Sequence, residues 1–190
     1  METQPMTEPM EQGPNENIFR EFLERQYAEG MALAGQSDIL KLIPMGGSPP
    51  QSYIAEFACK GLVQNEKGEI VEFDRFAAAI AFPDDYLRRL DHHFPVAAYL
   101  GPHPRPWHPN LRGPYICIDI KPGTELVPIL YGLFELFSWR LMNLADNGLN
   151  LAATQWARAQ DPKRFPLDRR PLKRRKLQLE VSQPTTEAGK

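Results

Sequence analysis

Nineteen prolines constrain this chain more than any other feature of its sequence. Proline fixes φ and donates no backbone hydrogen bond, so regular helices and central strands avoid proline-dense stretches. The prolines gather at the two ends and between positions 83 and 128, and residues 101–114 alone hold five. The chain therefore reads as regular structure before position 83, a stiff irregular crossing, and further regular structure beyond Pro128.

Within the first region, residues 1–14 are Met, Gln, Glu and Pro without periodicity and read as a disordered tail. Ile18, Phe19, Phe22, Leu23, Gln26 and Tyr27 then recur at helical spacing. Asn15 or Asn17 is available as the N-cap and Gly30 as the end. Three strand-like runs follow: 39–43 up to Pro44, 52–63, and 71–82 up to Pro83. Their links, Gly-Gly-Ser-Pro-Pro and Asn-Glu-Lys-Gly, are turn chemistry, and short links favour an antiparallel meander. Residues 96–100 offer a fourth short strand. Beyond the crossing, 115–120 is an apolar run ending at Lys-Pro-Gly. Residues 125–143 have a helical pattern apolar nearly all round, and Pro128 sits in a tolerable first-turn position. Asn147-Gly148 breaks it, and Asn150 can cap a second helix over 151–160. The fold class expected is α+β, an antiparallel sheet with helices on one side, with the domain running over 15–168. A basic and then polar tail, 169–190, completes the chain.

A formal net charge of -2 gives no electrostatic argument for nucleic acid or a membrane surface. Two cysteines, Cys59 and Cys117, make no disulfide framework and fit a reducing cytosol. The polar, acidic start carries no signal-peptide pattern. The most apolar stretch, 126–144, is interrupted by Pro128, Glu135 and Arg140, so no membrane span is expected. His92, His93, His103 and His108 with Cys117 match no standard zinc spacing, and no metal is expected. No nucleophile elbow or phosphate loop is present.

Five short motifs occur in a fixed order: Phe82-Pro83-Asp84-Asp85-Tyr86, His108-Pro109-Asn110, Ile116-Cys117-Ile118-Asp119-Ile120, Leu126-Val127-Pro128 and Asp146-Asn147-Gly148-Leu149-Asn150. Any one is weak. Together, with the element order between them, they resemble the ubiquitin-conjugating enzyme (E2) family over most of residues 17–165. The departures are Leu87 where the family has a second proline, extra chain between Phe82 and His108, and no tryptophan before the central helix. They resemble the divergent E2-like proteins of bacterial ubiquitin-like conjugation operons, some of which serve in antiviral defence against phage.

The resemblance implies an E2 (UBC-like) fold: an N-terminal helix, a four-stranded meander, a long central helix and a further C-terminal helix. It implies a cytoplasmic transferase that accepts a ubiquitin-like modifier as a thioester on Cys117 from an E1 activating enzyme. The acyl group then passes to an amine on a protein target. Thiol-to-thioester exchange is nearly isoenergetic, and a thiolate is both a good nucleophile and a good leaving group. The enzyme itself needs no cofactor; ATP serves the activating enzyme. For Asn110 two readings stand: an oxyanion donor worth about 3 kcal/mol, or an amide that holds the crossing's backbone. His108 fastens the turn and Pro109 stiffens it. Asp146 and Asn147 align with the family's acidic gate, where a carboxylate orients an incoming lysine; the other reading is a helix-end bend. Asp119 shares a face with Cys117 and either disfavours the thiolate or is simply solvated. Cys59 reads as a small buried apolar residue. Arg20 and Arg25 lie on the helix that meets the activating enzyme in the family, or on a solvated face. The basic run 163–176 either docks an acidic partner or nucleic acid, or solubilises the tail. The competing reading of the whole chain is a catalytically inactive scaffold of the same fold, against which the cysteine itself argues.

Overall fold

The structure is a computed structural model that describes residues 14–90 and 95–174. The first thirteen residues, His92, His93 and the last sixteen residues of the polar tail lie outside the described residues. The elements in chain order are α1 (Pro14–Gly35), β1 (Leu40–Met45), β2 (Ser52–Phe57), β3 (Gly61–Gln64), β4 (Ile70–Phe73), β5 (Phe76–Ala81), β6 (Ala97–Gly101), β7 (Leu111–Arg112), β8 (Tyr115–Ile116), α2 (Leu126–Phe137), α3 (Leu151–Arg158) and a 3₁₀ turn at Pro162–Arg164. The fold is α+β with an antiparallel sheet of strand order β1-β2-β5-β6-β8-β7, and β3-β4 form a separate hairpin.

The sheet keeps one face for the core. In β2 the buried residues are Tyr53, Ala55 and Phe57, and in β5 they are Phe76, Ala78 and Ile80. This two-residue period puts successive side chains on opposite faces. Pairing of Tyr53 with Ile80 and of Leu42 with Ala55 holds the two buried sets in register. Pro44 lies inside β1, not at its end, which is possible because β1 is an edge strand and an edge leaves one row of amides unpaired.

Two expected strands are each broken in two. Residues 52–63 divide at Ala58-Cys59-Lys60, where Ala58 N turns to donate to Ile39 O. Residues 71–82 divide at Asp74-Arg75. The pieces nearest the breaks form the β3-β4 hairpin, which leaves the main sheet.

Helix α1 buries Phe22, Leu23, Gln26, Gly30 and Leu33, while Ile18 and Tyr27 from the expected stripe are exposed. It starts at Pro14 and runs past Gly30. That glycine is a notch, not an end: a Cβ there would lie 2.7 Å from Leu126 Cδ2 and 2.9 Å from Leu42 Cδ2. Gln26 caps the next helix from the side, its Oε1 accepting Leu126 N at 2.7 Å. This satisfies one of the amides that a helix start leaves unpaired.

Helix α2 is shorter than its apolar pattern. It buries Leu126, Ile129, Leu130, Leu133, Phe134, Leu136 and Phe137 against the sheet, each worth roughly 1.5–3 kcal/mol. It ends at Phe137 because Trp139 adopts φ +60. A left-handed residue costs roughly 1–2 kcal/mol. Burial of the Trp139 ring, stacked 4.9 Å from Phe165 and edge-on 4.7 Å from His108, offsets it. Trp139, Leu62 and Ala157 anchor a second small core with Trp107 and Trp156. Residues 138–150, expected partly as helix, are therefore an irregular segment.

The packed chain continues to Arg174. Asp168 is buried and accepts Lys60 N at 3.1 Å, Leu172 is buried, and Arg174 N donates to Gln36 O. No helix among the described residues is long and apolar enough to cross a membrane.

Candidate active site

The site forms where the proline-rich crossing returns to the sheet. Trp107 N donates to Leu62 O and Gln64 N to Arg105 O, both at 2.9 Å, so β3 delivers the chain to position 108 in a fixed direction. His108 then turns it. Its Nδ1 accepts Asn110 N at 3.0 Å, which places the ring proton on Nε2, and Nε2 donates to Leu141 O at 3.0 Å. Burial pushes the imidazole pKa down to about 3, against the opposing hydrogen bond to Leu141. His108 is neutral, buried and committed at both nitrogens, which makes it a strut between the turn and the 138–150 segment. It has no nitrogen left to serve as a general base for Cys117.

Pro109 contributes its carbonyl, which accepts both Leu149 N at 2.9 Å and Asn150 N at 3.0 Å. Gly148 makes this approach possible: its φ is +57, and a Cβ there would lie 2.6 Å from Pro109 O. The Asp146–Asn150 loop is thereby seated on the His-Pro-Asn turn. Asn150 also caps α3 by accepting Ala153 N.

Asn110 is 7% exposed. The atom facing Asn143 N at 3.2 Å must be its carbonyl Oδ1, because a backbone amide only donates. That fixes the amide's orientation and leaves Nδ2 with no hydrogen bond to the described residues. The β7-β8 hairpin supplies the other half. Leu111 faces Ile116 and Arg112 faces Tyr115, so one further step of the register sets Asn110 opposite Cys117. Cys117 N donates to Asn110 O at 2.9 Å in agreement. Directly opposed residues in an antiparallel pair share a face, with Cβ atoms about 5 Å apart. Cys117 is exposed, whereas Cys59 is buried beside Asp168, its thiol pushed up to about 12 by burial first and by that carboxylate second. The chain thus presents one accessible thiol among the described residues, opposite one uncommitted amide donor.

The Asp146 carboxylate serves its own loop. Oδ2 accepts Asn143 Nδ2 at 3.1 Å and Oδ1 accepts Gly148 N at 2.8 Å. Asn147 is exposed and uses its backbone oxygen to accept the Thr154 hydroxyl. Asp119 is exposed and lies 3.5 Å from Lys121 Nζ. Arg20 pairs with Glu24 along α1, and Arg25 reaches Glu125 at the start of α2. Neither arginine joins the cysteine; Arg20 instead lines a hollow of about 730 Å³ with Phe19, Pro49, Asp84 and Leu87. Among the described residues no three of His, Cys, Asp and Glu converge as metal ligands. His103 is spent on Arg105 N and on the Phe73 ring.

Asn143 is the functional-site residue that sequence reasoning missed. It stands in the apolar-helix pattern, and only the density of Asn and Asp just beyond it hinted at a loop. No family model matches this chain, and no curated protein matches it.

Proposed function

We propose that the chain is an E2-type transferase that carries the C-terminal acyl group of a ubiquitin-like protein as a thioester on Cys117. The observation that supports this best is the 2.9 Å bond from Cys117 N to Asn110 O. It sets an accessible thiol opposite an amide whose oxygen is already engaged and whose Nδ2 is available to donate.

In the charging step the Cys117 thiolate attacks the activating enzyme's thioester carbonyl. The new S–C bond forms and the activating enzyme's cysteine leaves as thiolate. In discharge an amine attacks the Cys117 thioester, and the negative charge that develops on its carbonyl oxygen is met by Asn110 Nδ2. The C–S bond then breaks, the amide forms, and the amine's proton leaves to solvent. His108, Pro109 and Asn143 act as positioning residues that hold the donor still. Asp146 and Asn147 supply the loop beside it. The Arg20 and Arg25 face of α1 is the surface for the activating enzyme. The fitting compartment is the cytoplasm, and the fitting setting is a bacterial conjugation operon of the kind used against phage.

The test is incubation with a verified activating enzyme, its modifier and ATP, read on a non-reducing gel. The expected result is an adduct that thiol removes and that Cys117→Ala lacks. Absence of any adduct with active components refutes the proposal.

A further inference from the structure

The net charge conceals a polarised chain. Residues 163–176 hold eight basic side chains against one acidic side chain, Asp168. The formal charge of -2 is therefore a strongly basic segment set against an acidic remainder. A charge run of this kind is ordinarily a solvated tail. Here the part up to Arg174 is packed as a strap that leaves the end of α3 and crosses to the end of α1.

The strap's backbone is fixed along its length. Leu167 N donates to Ser138 O at 3.0 Å, Lys60 N to the buried Asp168 Oδ2 at 3.1 Å, and Arg174 N to Gln36 O at 2.8 Å. Arg140 Nη2 donates to both Asp168 O and Arg170 O, and Leu172 is buried. Three of the cations are partly spent. Arg164 lies over the Trp156 ring and donates to Gln160 Oε1, Arg170 pairs with Asp168, and Arg174 pairs with Asp38. Lys163, Arg169 and Lys173 are exposed, and their side chains make no hydrogen bond or ion pair with the described residues. Asp161, exposed at the start of the strap, accepts Lys163 N.

What the strap does not expose decides its partner. Phe165 stacks on Trp139, Leu167 packs into the same small core, and no large apolar side chain is exposed between residues 152 and 174. A protein interface has an apolar centre, whereas phosphates need only positioned cations. Single strands are held by bases stacked on open aromatic rings, and the strap presents none: Trp156 is half-buried with Arg164 over it.

We propose that residues 163–174 bind the phosphate backbone of a nucleic-acid duplex without regard to sequence, with Lys163, Arg169 and Lys173 as the principal contacts. This stands independently of the reading of Cys117. Each phosphate neutralised releases condensed counterions, so three contacts give a slope of log affinity against log salt of about -3.

Fluorescence anisotropy of a labelled 20-base-pair duplex, titrated with the full chain at several salt concentrations, tests this. Binding is expected at 50 mM salt, equal for a scrambled sequence, and weaker by roughly 60-fold at 200 mM. Lys163→Gln, Arg169→Gln and Lys173→Gln should each make the slope shallower by about one, and the fold should stand because none of the three has a partner to lose. Lys67→Gln, in the β3-β4 turn, should leave binding unchanged. No binding at about 100 μM protein in 50 mM salt, or an unchanged slope in the triple variant, overturns the proposal. A single strand of the same length bound more tightly than the duplex also overturns it. Poly-glutamate of equal charge bound as tightly as the duplex overturns it in favour of an acidic protein partner.

Discussion

Replacing Gly148 with alanine tests the seating of the Asp146–Asn150 loop on the His-Pro-Asn turn. Two costs arise together. Alanine at φ +57 loses roughly 1–2 kcal/mol in the left-handed region. Its Cβ would also stand 2.6 Å from Pro109 O, so the carbonyl must withdraw from Leu149 N and Asn150 N, at about 1 kcal/mol for each bond lost. The sum is about 3 kcal/mol. The loop relieves it by lifting off, because loops belong to the low-stability end of a structure. Hydrogen exchange at the Leu149 and Asn150 amides should accelerate by about two orders of magnitude, and Tm should fall by roughly 6–12 °C for a chain of this size. Gly148→Asn separates the two costs. Asparagine tolerates left-handed φ but brings the same Cβ, so it should recover only the smaller part. Unchanged exchange in Gly148→Ala, or full recovery in Gly148→Asn, would refute the close approach.

Asn110→Asp keeps an oxygen for Asn143 N and removes the Nδ2 donor, so charging of Cys117 should persist while discharge to a free amine slows roughly 10²-fold. An aspartate variant that discharges at the wild-type rate would assign Asn110 to the backbone alone. Asp168 predicts an acid-labile strap. Burial alone would raise its pKa, but the Arg170 guanidinium and the Arg170 and Lys60 amides lower it from 3.8 to about 2. A depressed folded pKa stabilises above the unfolded value and is lost as pH falls through the folded one. Roughly 2 kcal/mol should therefore vanish between about pH 4 and pH 2, and Asp168→Asn should flatten that part of a urea-midpoint profile. The same slope in the variant would contradict it.

Much of this arrangement could be read from the sequence where a residue's own chemistry sets its place. Proline density placed the crossing, and the antiparallel order of the strands followed from short turn-rich links. The breaks were invisible because they depend on partners far along the chain. Gly61 opens β3 just past the break, packed so closely that a Cβ there would meet Phe137 O and the Phe76 ring, both at 2.5 Å. Neither neighbour is foreseeable from local pattern. Gly30 looked like a helix end and is a packing notch for the same reason. The apolar pattern after Phe137 continued, yet Trp139 left the helix to join a core with Phe165, a tertiary choice that overrides propensity. At the site, His108, Pro109, Asn110 and Cys117 were legible as a motif. The engagement of Asn110 by Asn143, which fixes which end of the amide is presented, was not.

The most direct measurement of the central claim replaces the sulfur. In the charging assay with a verified activating enzyme, modifier and ATP, Cys117→Ser should accumulate an adduct that survives thiol and is cleaved by hydroxide, because an oxyester is more stable than the thioester it replaces. A serine variant with no adduct beside a charged wild-type chain, or an adduct mapped to Cys59 or a lysine in place of position 117, would contradict the account.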